Sequence, residues 1–177
     1  LQIAEAIEDV GGYINAYTTF DRTVYYIDLP AEHTAVAIDL LADATLRSTL
    51  PAEEVAKEKE VILREIDMCQ DDPDQRLAQA LFESAFRVHP YRQPIIGHRE
   101  VFAANTRDDL LAYYRARYVP NNMALVIVGD FDPSAIRAAI AQHFGTVSRR
   151  RLAPVLVSDE PAQLARRDQH LFEDVQV

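Results

Sequence analysis

The residues best suited to do chemistry sit in one acidic run. Between Pro51 and Asp72 the sequence carries Glu53, Glu54, Glu58, Glu60, Glu65, Asp67, Asp71 and Asp72, with Lys57, Lys59 and Arg64 interleaved. If the run is helical, Glu58 and Glu65, seven residues apart, lie on nearly the same face two turns from each other. A carboxylate held there could bind a cation or move a proton. The same pattern also suits a solvated helix laced with Glu–Lys pairs, and spacing alone leaves both readings open. The five histidines, His33, His89, His98, His143 and His170, form no H-E-x-x-H or H-x-x-E-H helix motif. A catalytic zinc site takes three protein ligands plus water, so one glutamate cannot hold the metal alone. Cys69 has no neighbouring histidine and reads as a small buried hydrophobe, not a nucleophile. There is no Gly-rich phosphate loop and no G-x-S-x-G elbow.

These residues need elements to position them. Leu1, Ile3, Ala4, Ile7 and Val10 fall near helical spacing, and Gly11-Gly12 stops the run. Tyr13–Thr19 and Thr23–Leu29 read as strands joined by Phe20-Asp21-Arg22, an antiparallel hairpin. A helix follows from Glu32 to Ser48, with Val36, Leu40, Leu41 and Ala44 on one face. Pro51 opens the acidic helix, which runs to Asp71 on an apolar stripe of Val55, Ile62, Ile66 and Cys69, with Val61 and Met68 beside it. Pro73 opens another through Val88, with Leu77, Leu81 and Phe82 inward. His89-Pro90-Tyr91-Arg92-Gln93-Pro94 is a loop because of its two prolines. Short helices follow over Arg99–Ala104 and from Thr106 through Tyr118. Met123–Val128 is a continuous apolar run and reads as a buried strand. Pro133-Ser134 opens a helix ending at Phe144-Gly145, Arg149–Arg151 and Pro154–Pro161 are loop, and a last strand starts near Gln169. A hairpin mixed with helices implies an α+β architecture, helices packed on a mainly antiparallel sheet.

Composition narrows the classes of function. The chain has 177 residues, 49% hydrophobic and 26% charged, which suits an ordered core. Asp plus Glu number 28 against 18 Lys plus Arg, a formal charge of −10, so no nucleic-acid partner is expected. No apolar run approaches the roughly 20 residues of a membrane span. The single cysteine excludes an internal disulfide framework.

Five segments, in order, resemble the pitrilysin/insulinase metallopeptidases, the family of mitochondrial processing peptidase and many bacterial zinc proteases. Gly11-Gly12-Tyr13-Ile14-Asn15-Ala16-Tyr17-Thr18 resembles the family's G-G-x-x-N-A-x-T strand, followed by Asp21–Tyr26. Glu58–Glu65 resembles its E-x-x-V-I-x-x-E helix, and His89-Pro90-Tyr91 with Pro94–Gly97 its H-P-Y…P-x-x-G loop. Tyr118–Met123 and Val128–Phe131 resemble its Y-x-P-x-N-M and V-G-D-F segments. The resemblance implies one half of a processing-peptidase-like clamshell, a single peptidase-type domain over 1–177. It implies zinc as cofactor, Glu65 as its third protein ligand and Glu58 as a supporting acid. Asn15, Ala16 and Thr18 would line an edge that binds peptide or unfolded polypeptide as an added strand. Zinc would activate the attacking water. The first two ligands and the general base come from an H-x-x-E-H helix roughly seventy-five residues ahead of the distal Glu, which falls about ten residues before Leu1. The chain is therefore expected to be truncated at its N-terminus, and at its C-terminus too, with a second homologous half-domain or subunit as partner. Alone it is expected to be inactive. The alternative is an inactive homologue acting as a structural or partner subunit.

Overall fold

The computed structural model describes residues 2–172. The order of elements is α1 (Gln2–Glu8), β1 (Tyr13–Thr18), β2 (Thr23–Asp28), α2 (Thr34–Leu46), α3 (Ala52–Asp71), α4 (Pro73–Ala85), α5 (Arg99–Ala104), α6 (Arg107–Arg117) and α7 (Pro133–Phe144). Single 3-10 turns lie at Ala31–His33, Pro90–Arg92 and Pro120–Asn122. The class is α+β. The chain gathers into two units, Leu1–Leu50 with Asp108–Ala153, and Pro51–Arg107 with Pro154–Val177.

In the first unit, Gly11-Gly12 does two different jobs. Gly11 takes φ +74°, the left-handed residue that ends α1, and the Gly12 N–H returns to the Ile7 carbonyl at 2.8 Å. At Gly12 an added Cβ would stand 2.9 Å from the Asp28 carbonyl oxygen, Ile7 and Leu29, so only glycine lets the chain pass. The hairpin then pairs antiparallel with Tyr13 opposite Asp28 and Thr18 opposite Thr23. α2 packs on α7, α1 and β2, and Ile7, Ile38, Ala42 and Val119 form the core. Asp132 caps α7 by accepting the Ser134 N–H at 2.8 Å, ahead of Pro133 at the first helical position. Across α2 and α7, Asp39 meets His143 Nδ1 at 2.8 Å and accepts from Arg47 Nη2 at 3.0 Å. The Tyr25 and Tyr118 hydroxyls lie 2.7 Å apart, and burial, then that bond, push the Tyr118 phenol well above its ordinary pKa.

In the second unit the α3 stripe forms as its period requires. Ile66 is buried, Val55, Ile62, Leu63 and Cys69 are half-buried, and Val61 and Met68 are exposed. α3 packs on α4 and α5. Asp72 caps α4 by accepting the Asp74 N–H at 2.9 Å. Past α4, the Glu160 carboxylate accepts the backbone N–H groups of Arg87, Val88 and His89 at 2.6, 2.9 and 2.9 Å. Partial desolvation opposes its charge, but those three donors and nearby Arg167 outweigh it and hold its pKa below the ordinary value. Arg167 in turn donates to the Ser84 and Ala85 carbonyls at the end of α4.

Four expectations need correction. Met123–Val128 is not a buried strand: no described strand pairs with it, and Val128 is 91% exposed. An apolar run signals burial or pairing but does not itself supply the neighbouring strand. At the far end, 169–172 form no strand, and the rest of that expectation lies outside the described residues. α4 stops at Ala85, short of Val88. Its Leu77 and Leu81 are 61% and 65% exposed, although they share a side of the helix with the buried Ala80.

Candidate functional site

The two candidate carboxylates ride on α3, with Glu58 and Glu65 both exposed. Seven residues of helix separate them by about 10 Å along the axis. The residues beside them pin the helix. Lys59 Nζ donates to the Ala103 and Asn105 carbonyls at 2.6 and 2.7 Å, covering the C-terminal end of α5 where a cation is favoured. Asp67 accepts from Arg99 Nε at 2.8 Å at the opposite end of α5. α3 is thus fastened at two points eight residues apart, with Glu65 between them and Glu58 next to the first, and Ile66 anchors the helix on its buried side. Part of the solvated-helix reading also holds: Lys57 pairs with Glu54 at 2.8 Å, and that bond lowers the Glu54 pKa.

Whether these residues fit zinc is a question of donor count. Among the described residues no group of three or more His, Cys, Asp and Glu could hold a metal ion. Glu65 can offer one oxygen donor from a rigid helix, and Glu58 a second carboxylate two turns away. A catalytic zinc site needs more than that, so the chain's own described residues do not complete one.

The second candidate surface is β1, whose only partner among the described residues is β2. Antiparallel ladders alternate between residues that bond across the pair and residues that bond outward. The Thr19 N–H to Arg22 carbonyl bond, 2.8 Å, sets the phase. Tyr13, Asn15 and Tyr17 therefore bond to β2, while Ile14, Ala16 and Thr18 turn their main-chain groups to the open edge. Ala16 and Thr18 thus present their main-chain groups away from β2. Asn15 contributes to the edge by side chain only: its Oδ1 accepts the Ala16 N–H at 2.7 Å. Ile14, which the sequence reading did not single out, presents main-chain groups to the same edge.

The sequence also left Lys59, Asp67, Glu160 and Arg167 unassigned as positioning residues. Their partners lie 32 to 83 residues away, beyond any local spacing rule. In the His-Pro-Tyr loop, His89 Nδ1 accepts the Tyr91 N–H at 3.2 Å and the ring packs edge-on to Tyr91. This is a structural role for His89. His98 precedes α5, with Nε2 2.6 Å from Gln93 Oε1.

The family profile described as insulinase, peptidase family M16, matches residues 1–99, more than half of the chain. The chain belongs to the M16 peptidase family. A second profile, described as the peptidase M16 inactive domain, matches residues 105–176 of this M16 chain. The chain is 34% identical over 88% of its length to an uncharacterized zinc protease of Mycobacterium tuberculosis, covering 35% of that protein. It is 28% identical over 97% of its length to a protein of Arabidopsis thaliana named "Probable mitochondrial-processing peptidase subunit beta", covering 33% of it. A crystal structure of an M16-like peptidase from Alicyclobacillus acidocaldarius is similar with a TM-score of 0.82 and 34% identity, over 91% of this chain and 38% of that one. The first half of the periplasmic protease PqqL from Escherichia coli is similar with a TM-score of 0.80 and 25% identity, over 92% and 36%. The M16 chain thus spans about a third of the length of the curated relatives it matches. The hydrolase and zinc-protease character of those relatives accords with the resemblance carried by the five motifs.

Proposed function

We propose that the intact protein carrying this chain is a zinc-dependent endopeptidase acting on peptides or unfolded segments, and that residues 1–177 belong to its metal-binding half. The observation that carries this reading is the insulinase match over residues 1–99, which includes the whole of α3 with Glu58 and Glu65. In it Glu65 supplies one zinc ligand, and the remaining ligands come from outside residues 1–177. Zinc, when bound, lowers the pKa of its water and polarises the scissile carbonyl. Glu58 lies beside the site as a supporting acid. The open edge of β1, through the main chain of Ala16 and Thr18 with Asn15 alongside, takes the substrate as an added strand, giving affinity with little sequence preference. A second homologous half, on the same chain or a separate subunit, closes over the substrate.

A second reading is favoured by the inactive-domain profile over residues 105–176: a family homologue that serves as a structural or partner subunit. One experiment separates them. The intact protein is incubated with an unstructured fluorogenic peptide. Hydrolysis that a chelator abolishes and added zinc restores is the expected result, with residues 1–177 alone inactive. No hydrolysis by the zinc-loaded intact protein would leave the partner-subunit reading standing instead. Chelator-sensitive hydrolysis by residues 1–177 alone would show that this chain needs no outside ligand.

A further inference from the structure

We propose that the Asn15 side chain is a built-in cap on the open edge of β1, which an incoming peptide has to displace. This deepens the reading of β1 as the substrate edge and rests on it. Three outward N–H donors lie along that edge, at Ile14, Ala16 and Thr18. The central one, Ala16, is already taken by Asn15 Oδ1 at 2.7 Å. The Asn15 amide is fixed at its other end as well, since Nδ2 donates to the Tyr13 hydroxyl. The Tyr13 ring in turn packs against Tyr26, the residue opposite Asn15 across the hairpin. Tyr26 stands between the rings of Tyr13 and Tyr17, at 6.2 and 6.4 Å. A side chain that is exposed and polar is therefore held in one orientation by a chain of neighbours, Tyr26 to Tyr13 to Asn15 to the Ala16 N–H.

The chemistry of strand addition makes this consequential. An extended peptide needs alternate donors of the edge for its carbonyl oxygens. While Asn15 holds the middle donor, a peptide can bond at Ile14 and Thr18 but not between them. Binding the full ladder requires the amide to swing away, exchanging one hydrogen bond for another. The cap also blunts an open edge that would otherwise template pairing with a second copy. The ligand class selected is a peptide extended over several residues, whose main-chain carbonyl can take over the Ala16 N–H. Short or turn-forming peptides are disfavoured, because they gain too little elsewhere to open the cap.

The test uses the intact protein, with metal chelated so that peptide is bound but not cut. Asn15→Ala removes the cap, and Tyr13→Phe removes only the hydroxyl that orients it. Two quantities are read: hydrogen exchange at the Ala16 amide without peptide, and affinity for a labelled unstructured peptide. Expected for Asn15→Ala are exchange at Ala16 about tenfold faster and peptide affinity about fivefold tighter, the worth of one ordinary hydrogen bond. Tyr13→Phe is expected to move both in the same direction by less. Unchanged exchange at Ala16 in Asn15→Ala, or weaker peptide binding by that variant, would overturn the proposal. If neither the unaltered protein nor the variants bind peptide, the edge reading fails and displacement fails with it. The exchange measurement then tells that failure apart from absence of the cap.

Discussion

Glu65→Gln in the intact protein is expected to remove most of the bound zinc and to lower kcat/KM by at least about 100-fold, without unfolding the protein. Changes in residues that merely orient metal ligands already cost 10–100-fold in metal affinity or activity, so loss of a direct ligand sets that as a floor. The fold has little reason to respond. Glu65 is exposed on α3, Gln is nearly isosteric with Glu, and the two have similar helix propensity. Surface changes of that kind usually shift stability within about ±0.5 kcal/mol. Glu60→Gln supplies the control, because Glu60 is an exposed acid on the same helix. It lowers the local negative charge equally and is expected to leave zinc content unchanged. Metal analysis of purified wild type and both variants, with peptide hydrolysis alongside, checks the prediction. Equal zinc content in all three would remove Glu65 from the ligand set and return α3 to a charged, solvated helix.

Ile66→Ala is expected to produce the largest loss of stability of any single change on α3, about 2–5 kcal/mol. Ile66 is 2% exposed and is the one buried residue of that helix. Truncating it removes buried methyl groups and leaves a cavity that the helix fills only in part. A denaturant titration checks this, with the midpoint falling and the slope preserved. A loss below about 1 kcal/mol would mean that α3 is anchored elsewhere, by Lys59 and Asp67. The position of Ile66, directly after Glu65, gives the change a functional side. A displacement of about 1 Å in a catalytic group can cost on the order of 100-fold in rate, so activity is expected to drop even in the fraction that stays folded. Glu65→Gln and Ile66→Ala thus separate two roles on adjacent residues, the first moving zinc with stability constant and the second moving stability first.

What the sequence made legible was local. α4 and α7 each begin at a proline, after Asp72 and Asp132 have capped the entry, and α3 begins directly after Pro51, so their first residues lie within one position of expectation. The hairpin was legible because Gly11-Gly12 ends a helix and the next two runs are strand formers with only Phe20-Asp21-Arg22 between them. The resemblance then assigned candidate roles that spacing had left open for Glu58 and Glu65. What stayed hidden depended on distant partners. Lys59 is flanked in sequence by Glu58 and Glu60, yet residues one apart on a helix do not face each other. Its ammonium instead meets carbonyls 44 and 46 residues on. Glu160 sits in a stretch with no regular structure, and only the fold brings it to the three N–H groups after α4. Met123–Val128 failed for a related reason: its composition suits a strand, but composition cannot name a neighbour. The exposure of Leu77 and Leu81 likewise depends on what covers that side of α4, which its own pattern does not name.

The most direct measurement is anomalous diffraction at the zinc edge from crystals of the intact protein. The expected result is a peak about 2.0–2.2 Å from a carboxylate oxygen of Glu65, the normal zinc–oxygen distance. Its other ligands should be residues outside 1–177. A zinc peak whose ligands do not include Glu65, or no peak in crystals grown with zinc, would contradict the assignment of α3 as a metal-binding helix.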